Sequence, residues 1–157
     1  MTGNQIIQVI AGFIGTLGFA ILFNIRGKRL IAAGLGGMLS WLLFVLLEWL
    51  LPNETVNYFL VAFVLSIYAE IIARIFKTPT TAFITTTLIP LIPGGSLYYT
   101  MAYAFQSDRM HFLEKAIDTL QLAAALALGI ILATTLTRLF LQIIKRPTTT
   151  ERSHSHD

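Results

Sequence analysis

The sequence predicts an all-α membrane protein, a bundle of about five transmembrane helices of which the fourth is broken at a Pro-Gly motif. Two observations on composition support the membrane assignment: 55% of the 157 residues are hydrophobic and only 12% are charged, whereas soluble domains carry about 25% charged residues. The third observation is the spacing of the apolar runs, several of which approach the roughly 20 residues that an α-helix needs to cross a bilayer. A chain of this length is expected to form one domain.

Five apolar runs divide the chain, and each boundary carries a signal that ends a helix or marks a membrane surface. Basic residues follow the first run at positions 26–29, Pro52 ends the second run, and Pro79 ends the third because proline disfavours helix in the residue before it. We therefore predict a transmembrane bundle over residues 1–145 and a disordered cytoplasmic tail over residues 146–157. The predicted spans cover approximately residues 5–23, 30–51, 56–76, 80–105 and 119–144.

The positions of Lys and Arg predict how these spans are oriented, because short cytoplasmic loops retain basic residues. Five crossings, with residues 26–29 inside, leave only Arg109 and Lys115 outside. This places the N-terminus outside and the C-terminus on the cytoplasmic side of a bacterial inner membrane. It also favours a crossing for the fourth run over a re-entrant loop. The basic residues that then lie inside are Arg26, Lys28, Arg29, Arg74, Lys77, Arg138, Lys145, Arg146 and Arg152.

The same residues argue against several classes of function. The net charge of +3 comes from basic clusters between apolar runs rather than from one basic face, so no nucleic-acid binding is predicted. The chain has no cysteine, which excludes thiolate chemistry, and His154 and His156 alone are a weak metal signal. Since no nucleophile and base occur together in a recognised order and no P-loop is present, we predict no enzyme, no cofactor and no metal site.

The most informative segment is the proline- and glycine-rich break in the fourth run. Pro90 and Pro93 each remove a backbone donor and clash with the preceding turn, while Gly94 and Gly95 release the backbone from ordinary dihedral limits. Unwound backbone at membrane depth is tolerated only where it is buried in protein or lines a watery cavity. Discontinuous helices of this kind mark substrate sites in secondary transporters. The alternative is a structural proline kink that binds no ligand.

A second half-helix is expected to begin after the break, near Gly95 or Ser96, with Ser96 as its N-cap. The free N–H groups and partial positive charge at such a helix end suit a carboxylate. Thr86 belongs to a threonine-rich segment that either lines a polar path or bonds back to its own helix carbonyls. The residues predicted to bind substrate are Pro90, Pro93, Gly94, Gly95, Ser96, Tyr98 and Thr86.

Glu70 and Arg74 form a second polar constellation within the third apolar run. They lie four residues apart, so they share a helix face and can pair. An intramembrane carboxylate suggests a functional role, here a proton or substrate relay. The alternative is a structural lock between the two charges, and the sequence leaves both interpretations open.

Small residues recur at helix-packing spacing in three of the runs. Such residues let helix backbones approach closely in lipid, where association depends on contact rather than on the hydrophobic effect. The stripes serve either packing within the bundle or contact with a second chain, and the sequence does not divide them between these roles. They comprise Gly12, Gly15 and Gly18; Ala33 and Gly37; and Ala125, Gly129 and Ala133.

Three groups of residues resemble the threonine/serine exporter family. The resemblance is to the short membrane half that is also found as the small subunit of two-component bacterial succinate exporters, and it extends from Ile10 to Ile144. The residues that carry it are Gly18-Phe19-Ala20 with Phe23-Asn24; Glu70 with Ala73-Arg74 and Pro79; and Ile89-Pro90-Leu91-Ile92-Pro93-Gly94 with Tyr98.

This resemblance implies export of small hydrophilic carboxylates, either amino acids such as threonine and serine or dicarboxylates such as succinate. It also implies a longer partner subunit with about five spans of its own and a cytosolic region, a region that this chain lacks. The odd number of predicted spans independently suggests a partner or a homo-oligomer. We therefore expect a membrane subunit of a secondary exporter. The alternative is a non-transporting membrane scaffold or assembly protein.

Overall fold

The computed structural model describes residues 3–144, and the predicted tail lies outside the described residues. Residues 3–144 contain helices and no strand, which confirms the predicted all-α fold and the interruption of the fourth run. The helices are α1 (Gly3–Leu22), α2 (Lys28–Leu50), α3 (Glu54–Ile75), α4 (Thr80–Leu88), a single 3-10 turn (Ile89–Leu91), α5 (Gly94–Phe105) and α6 (Arg109–Ile144).

Four of these helices, α1, α2, α3 and α6, are long and apolar enough to cross a membrane. α4 and the following 3-10 turn form a shorter apolar segment, Thr80–Leu91. α6 is the longest, because its 36 residues at 1.5 Å each span about 54 Å, which exceeds the roughly 30 Å of a hydrocarbon core. It begins at Arg109 rather than near Thr119. Asp108, just before this start, accepts hydrogen bonds from backbone N–H groups of the first turn.

α3 and α6 run side by side in the same direction. Glu54 and Asp118 line one cavity, whereas Arg74 and Phe140 line another at the far end of the pair. We name the two ends of the bundle after α3, as the Glu54 end and the Arg74 end. The first turns of α6, which precede Asp118, therefore extend past the Glu54 end.

α2 lies between α1 and α4, and adjacent glycines bring all three helices into contact. A Cβ at Gly36 would overlap Thr87 of α4, and a Cβ at Gly37 would overlap Thr16 of α1. Because only hydrogen fits at these two positions, backbone and side chain meet directly, which is the contact that stabilises helix pairs in lipid.

The other small-residue stripes divide between buried and open positions. A Cβ at Gly129 of α6 would lie 2.7 Å from Phe59 O and 2.9 Å from Ala62 Cβ, so this glycine sets the close approach of α6 to α3. Gly15 and Gly18 of α1 have no atom within 4 Å of an added Cβ. Only part of the small-residue stripe on α1 therefore packs against other helices of the described chain.

Two apolar clusters fill the bundle. The cluster toward the Glu54 end comprises Phe44, Tyr58, Val61, Ala62, Leu65, Leu88, Leu91, Leu122 and Ala125. The cluster toward the Arg74 end comprises Ala20, Ile25, Ala32, Ala33, Ala69, Ala73 and Phe83. α4 contributes Phe83 to one cluster and Leu88 to the other, so the segment before the break is part of the framework of the bundle.

Candidate functional site

The break is a real interruption of the backbone between α4 and α5. The N–H of Ile92 donates to Ile89 O at 3.2 Å, and that of Gly94 donates to Ile92 O at 2.6 Å, so the chain turns tightly over these residues. Pro93 occupies the N-cap position of α5 without a side-chain cap. The expectation that Ser96 is the N-cap is therefore wrong: proline at 93 and the small glycines let the helix begin earlier, and Ser96 lies within its first turn.

The chain takes different surroundings on the two sides of the break. α4 packs among α1, α2 and α3, whereas α5 runs antiparallel to α6 along the turns of that helix that extend past the Glu54 end. Ser96 lies beside Thr119 at the base of this hairpin, and Tyr103 stacks on His111 near its tip with ring centroids 5.3 Å apart.

Three hydroxyl groups, those of Ser96, Thr100 and Thr119, fix the base of α5 to α6. Thr119 Oγ1 lies 2.9 Å from Ser96 Oγ and 3.1 Å from Thr100 Oγ1, and Thr100 Oγ1 donates to the backbone carbonyl of Ser96 at 2.9 Å. We call these residues the hydroxyl cluster. Each of its hydroxyl groups has a partner, so the cluster holds the first turn of α5 in place.

A cavity of about 420 Å³ opens at this first turn, and we call it the break cavity. The first N–H of α5 with a helical acceptor is that of Leu97, which donates to Pro93 O at 3.0 Å. In the part of the chain that the structure describes, the N–H groups of Gly95 and Ser96 therefore have no acceptor within the helix. The cavity is lined by Glu54, Thr55, Gly95, Ser96, Tyr99, Lys115, Asp118, Gln121 and Leu122.

The break cavity combines both signs of charge. Lys115 Nζ donates to Asp118 Oδ2 at 2.9 Å, and Glu54 supplies a second carboxylate from the first turn of α3. The ammonium group and the free N–H groups can bind a carboxylate. The two carboxylates can bind an ammonium group, so the site is suited to a small solute that carries both charges.

The structure brings some of the predicted substrate residues to this cavity and leaves others elsewhere. Gly95 and Ser96 line it. Tyr98 is 68% exposed and meets the ring of Tyr99, a cavity residue, edge to face at 5.5 Å. Thr86 is fully buried, and its hydroxyl lies 2.9 Å from Ala82 O. It thus bonds back to a carbonyl of its own helix, the second of the two roles considered for this residue.

Pro90, Pro93 and Gly94 shape the turn but do not line the cavity. The groups that sequence reasoning missed are the charged ones, Lys115 and Asp118. A signal for them exists, because they lie three residues apart in the polar segment that follows the break and i,i+3 pairs share a helix face. Nothing in the sequence brings Glu54 to them.

The second predicted constellation lies toward the Arg74 end. Arg74 Nη2 donates to Glu70 Oε2 at 2.9 Å; the Glu70 side chain is 3% exposed and that of Arg74 is 44% exposed. Arg74 lines an apolar groove between α3 and α6 together with Ile71 and Phe140. The pair is thus formed, with its carboxylate buried and its guanidinium at the edge, and both the relay and the lock remain predictions.

No group of three or more potential metal ligands occurs among residues 3–144. Comparison with protein families matches residues 8–136 to a family described as Threonine/Serine exporter, ThrE. The matched segment includes the break and every residue that lines the break cavity. No curated protein and no solved structure gives a match.

Proposed function

The chain belongs to the threonine/serine exporter family, and from this premise we propose that it is the membrane subunit of a secondary exporter that holds small carboxylate solutes in the break cavity. Family membership and the apolar helices make it a multi-pass membrane protein and a transport component of the exporter type. The proposal adds the substrate class, the site and the role as a subunit.

The observation that carries this proposal is the meeting of opposite charges beside free backbone N–H groups. Lys115 and the N–H groups of Gly95 and Ser96 would bind the solute carboxylate, because charge-assisted hydrogen bonds and a helix N-terminus both favour an anion. Glu54 and Asp118 would bind an ammonium group. Ser96 Oγ is bonded to Thr119 but can make a further hydrogen bond, so it and the amide of Gln121 would bind a side-chain hydroxyl of the solute.

The balance of charge in the cavity distinguishes the two solute types that the sequence suggests. Two carboxylates and one ammonium group leave the cavity negative, which opposes a dicarboxylate and favours a solute with its own cationic group. We therefore propose amino acids such as threonine and serine as the preferred substrates, with dicarboxylates such as succinate as weaker ones.

The test is efflux of L-threonine from proteoliposomes that contain the chain together with its longer partner subunit. K115Q and D118N should each raise KM about tenfold, which corresponds to about 1.4 kcal/mol of lost binding. R109Q is the matched control, since Arg109 is a cation on the same helix that does not line the break cavity, and it should transport normally.

The scaffold alternative gives a different result in the same experiment. If this chain only assembles or stabilises its partner, K115Q and D118N will transport like the unmodified protein. Transport would then fall only in variants that disturb helix packing. That pattern would overturn the proposed binding role.

We propose further that the Glu54 end faces the periplasm of a bacterial inner membrane and that the open glycine face of α1 contacts the longer subunit or a second copy. Gly15 and Gly18 lie open on this face. Because the chain has no cysteine, G15C and G18C introduce single thiols whose cross-links identify the neighbour. A periplasmic reporter that is active when fused to the C-terminus would contradict the orientation.

A further inference from the structure

Two buried hydrogen-bond donors beside the break have no partner. Thr16 of α1 is fully buried, and neither its hydroxyl oxygen nor Trp41 Nε1 of α2 has an acceptor or donor in range among residues 3–144. Buried polar groups are almost always paired, and each exception calls for an explanation. One explanation is a ligand that supplies the missing partner.

Six other threonines in the described bundle behave differently. The hydroxyl groups of Thr87, Thr134 and Thr137 lie 2.8 Å from the carbonyl oxygen four residues earlier in their own helices. Thr16 makes no such bond to Gly12 although α1 is helical there. Its hydroxyl is therefore free to bind something else.

Thr16 and Trp41 both lie along the contact between α1 and α2, which reaches the first proline of the break. A Cβ at Gly12 would lie 3.6 Å from Gly37 O, 3.6 Å from Trp41 Cβ and 3.7 Å from Pro90 Cβ. Thr16 is one helical turn from Gly12 and packs on Gly37, which is one turn from Trp41. The two residues thus follow one another along the same seam.

The break also alters the backbone on the facing side of this seam. Pro90 has no N–H, so it cannot donate to the carbonyl of Thr86 as a helical residue would. This seam reaches the break at Pro90, whereas Gly95 and Ser96 of the break cavity lie beyond the break in α5. The break therefore separates two places at which a polar solute can be bound.

We propose that the Thr16 hydroxyl and the Trp41 indole N–H form a second binding site, the inner site, for the carboxylate of the transported solute. This inference rests on the proposed function, because it names a further stop on the path of the same solute. The indole N–H can only donate and the unpaired hydroxyl can donate, so together they favour an anionic oxygen over a cation. The solute would pass between the break cavity and the inner site along the unwound residues of the break.

Trp41 itself can report binding, because the chain has only two tryptophans. The other, Trp49, is 70% exposed, so W49F leaves Trp41 as the sole tryptophan of this chain without disturbing the interior. Emission of the partner subunit is subtracted with the double variant W41F/W49F. Titration of the W49F protein with its partner subunit by L-threonine should change the Trp41 emission saturably. T16V in the same background should raise the apparent Kd at least tenfold.

The controls separate binding from folding. T16V removes a hydroxyl that has no partner, so the protein should unfold at the same temperature or higher. T16S keeps the donor and should restore binding. T134V makes the same chemical change at a hydroxyl that is already bonded within α6, and it should bind like W49F. If T16V does not fold, W41F measured with radiolabelled L-threonine tests the other donor.

The outcomes for the two proposals differ. If L-threonine binds by equilibrium dialysis with unchanged Kd in T16V and W41F, and the Trp41 emission stays constant, the inner site holds water at most and the inference is overturned. The proposed role of the break cavity would still be supported if K115Q weakens the binding of L-threonine. If the unmodified protein with its partner neither binds nor exports the solute, the proposed function itself fails.

Discussion

The two sides of the break differ in what surrounds them. α4, before the break, lies among three other helices, and Phe83, Thr86 and Thr87 are fully buried. In α5, after the break, Thr100 is the only buried residue, and Tyr98, Tyr99 and Phe105 are exposed. The break therefore joins a fixed framework to an exposed arm, and the break cavity lies where the two meet. The four predictions below test this contrast, in order of decreasing effect.

The largest effect is expected for the charge pair in the framework. R74L removes the partner of a buried carboxylate and should destabilise the protein by about 3 kcal/mol, because an unpaired buried charge is costly. E70Q should cost less, since the half-exposed Arg74 can extend toward the membrane surface. Unfolding in mixed detergent micelles, followed by circular dichroism, measures both.

The double variant E70Q/R74L and a transport assay complete this test. The double variant should be more stable than R74L alone. If E70Q keeps full transport and its pH dependence, the pair is a structural lock; if the pH dependence disappears, Glu70 is the coupling group. Equal destabilisation by R74L and E70Q would contradict the buried position of the carboxylate.

The next effect concerns the contact between α2 and α4. G36V places a side chain where a Cβ already overlaps Thr87, so we expect a loss of about 1–3 kcal/mol from overpacking. G3V is the control, because an added Cβ at Gly3 of α1 meets no atom within 4 Å and Gly3 is not part of the proposed contact with a second chain. A melting temperature for G36V equal to that of G3V would show that α4 is not fixed against α2.

A smaller effect is expected in the arm. T119V removes the central member of the hydroxyl cluster and should cost about 1 kcal/mol, the usual net value of such a hydrogen bond. The loss should appear as faster amide exchange in α5 with little change in α4. T135V, an exposed threonine on the same helix, provides the comparison, and uniform exchange across both segments would contradict the division into framework and arm.

The smallest effect concerns pH at the tip of the arm. The side chain and the backbone N–H of His111 hydrogen-bond to Asp108 and hold the pKa of its carboxyl below the usual value. A depressed pKa adds stability above the unfolded-state pKa of about 3.9, and that stability is lost as the pH falls through the folded-state pKa.

The first turn of α6 should therefore lose amide protection below about pH 4 while the framework keeps it. Amide exchange of residues 109–112 between pH 3 and pH 6 measures the effect. D108A should abolish the pH dependence. A first turn that is equally protected at both pH values would contradict this role of Asp108.

The break and the all-α fold could be predicted because they depend on local chemistry. Pro90, Pro93 and Gly94 forbid a regular helix whatever surrounds them, and apolar runs indicate their lipid environment directly. The direction of α5 could not be predicted, since a proline indicates where a helix ends but not the direction of the helix that follows. That Glu54 lines the same cavity as Lys115 depends on that direction. The sequence could therefore indicate the Lys115–Asp118 pair but not the complete charged lining of the cavity.

Two local expectations show the limits of pattern reading. Ser96 has a good capping side chain, but Pro93 with its fixed φ starts the helix first. The polar residues 106–118 separate two apolar runs, yet most of them are helical because Asp108 caps a segment rich in helix-forming residues. Hydropathy identifies where lipid begins and ends, which is not always where a helix does.

The uninterrupted length of α6 has a mechanical consequence. A rod that is held near its middle turns about that point, and α6 is held closely at Gly129, where its backbone rests on α3. A force that pulls the hairpin sideways over a bound solute would then swing the opposite tip in the reverse direction. Motion at one membrane face would thus reach the other face by leverage alone, with no change in the helix between them.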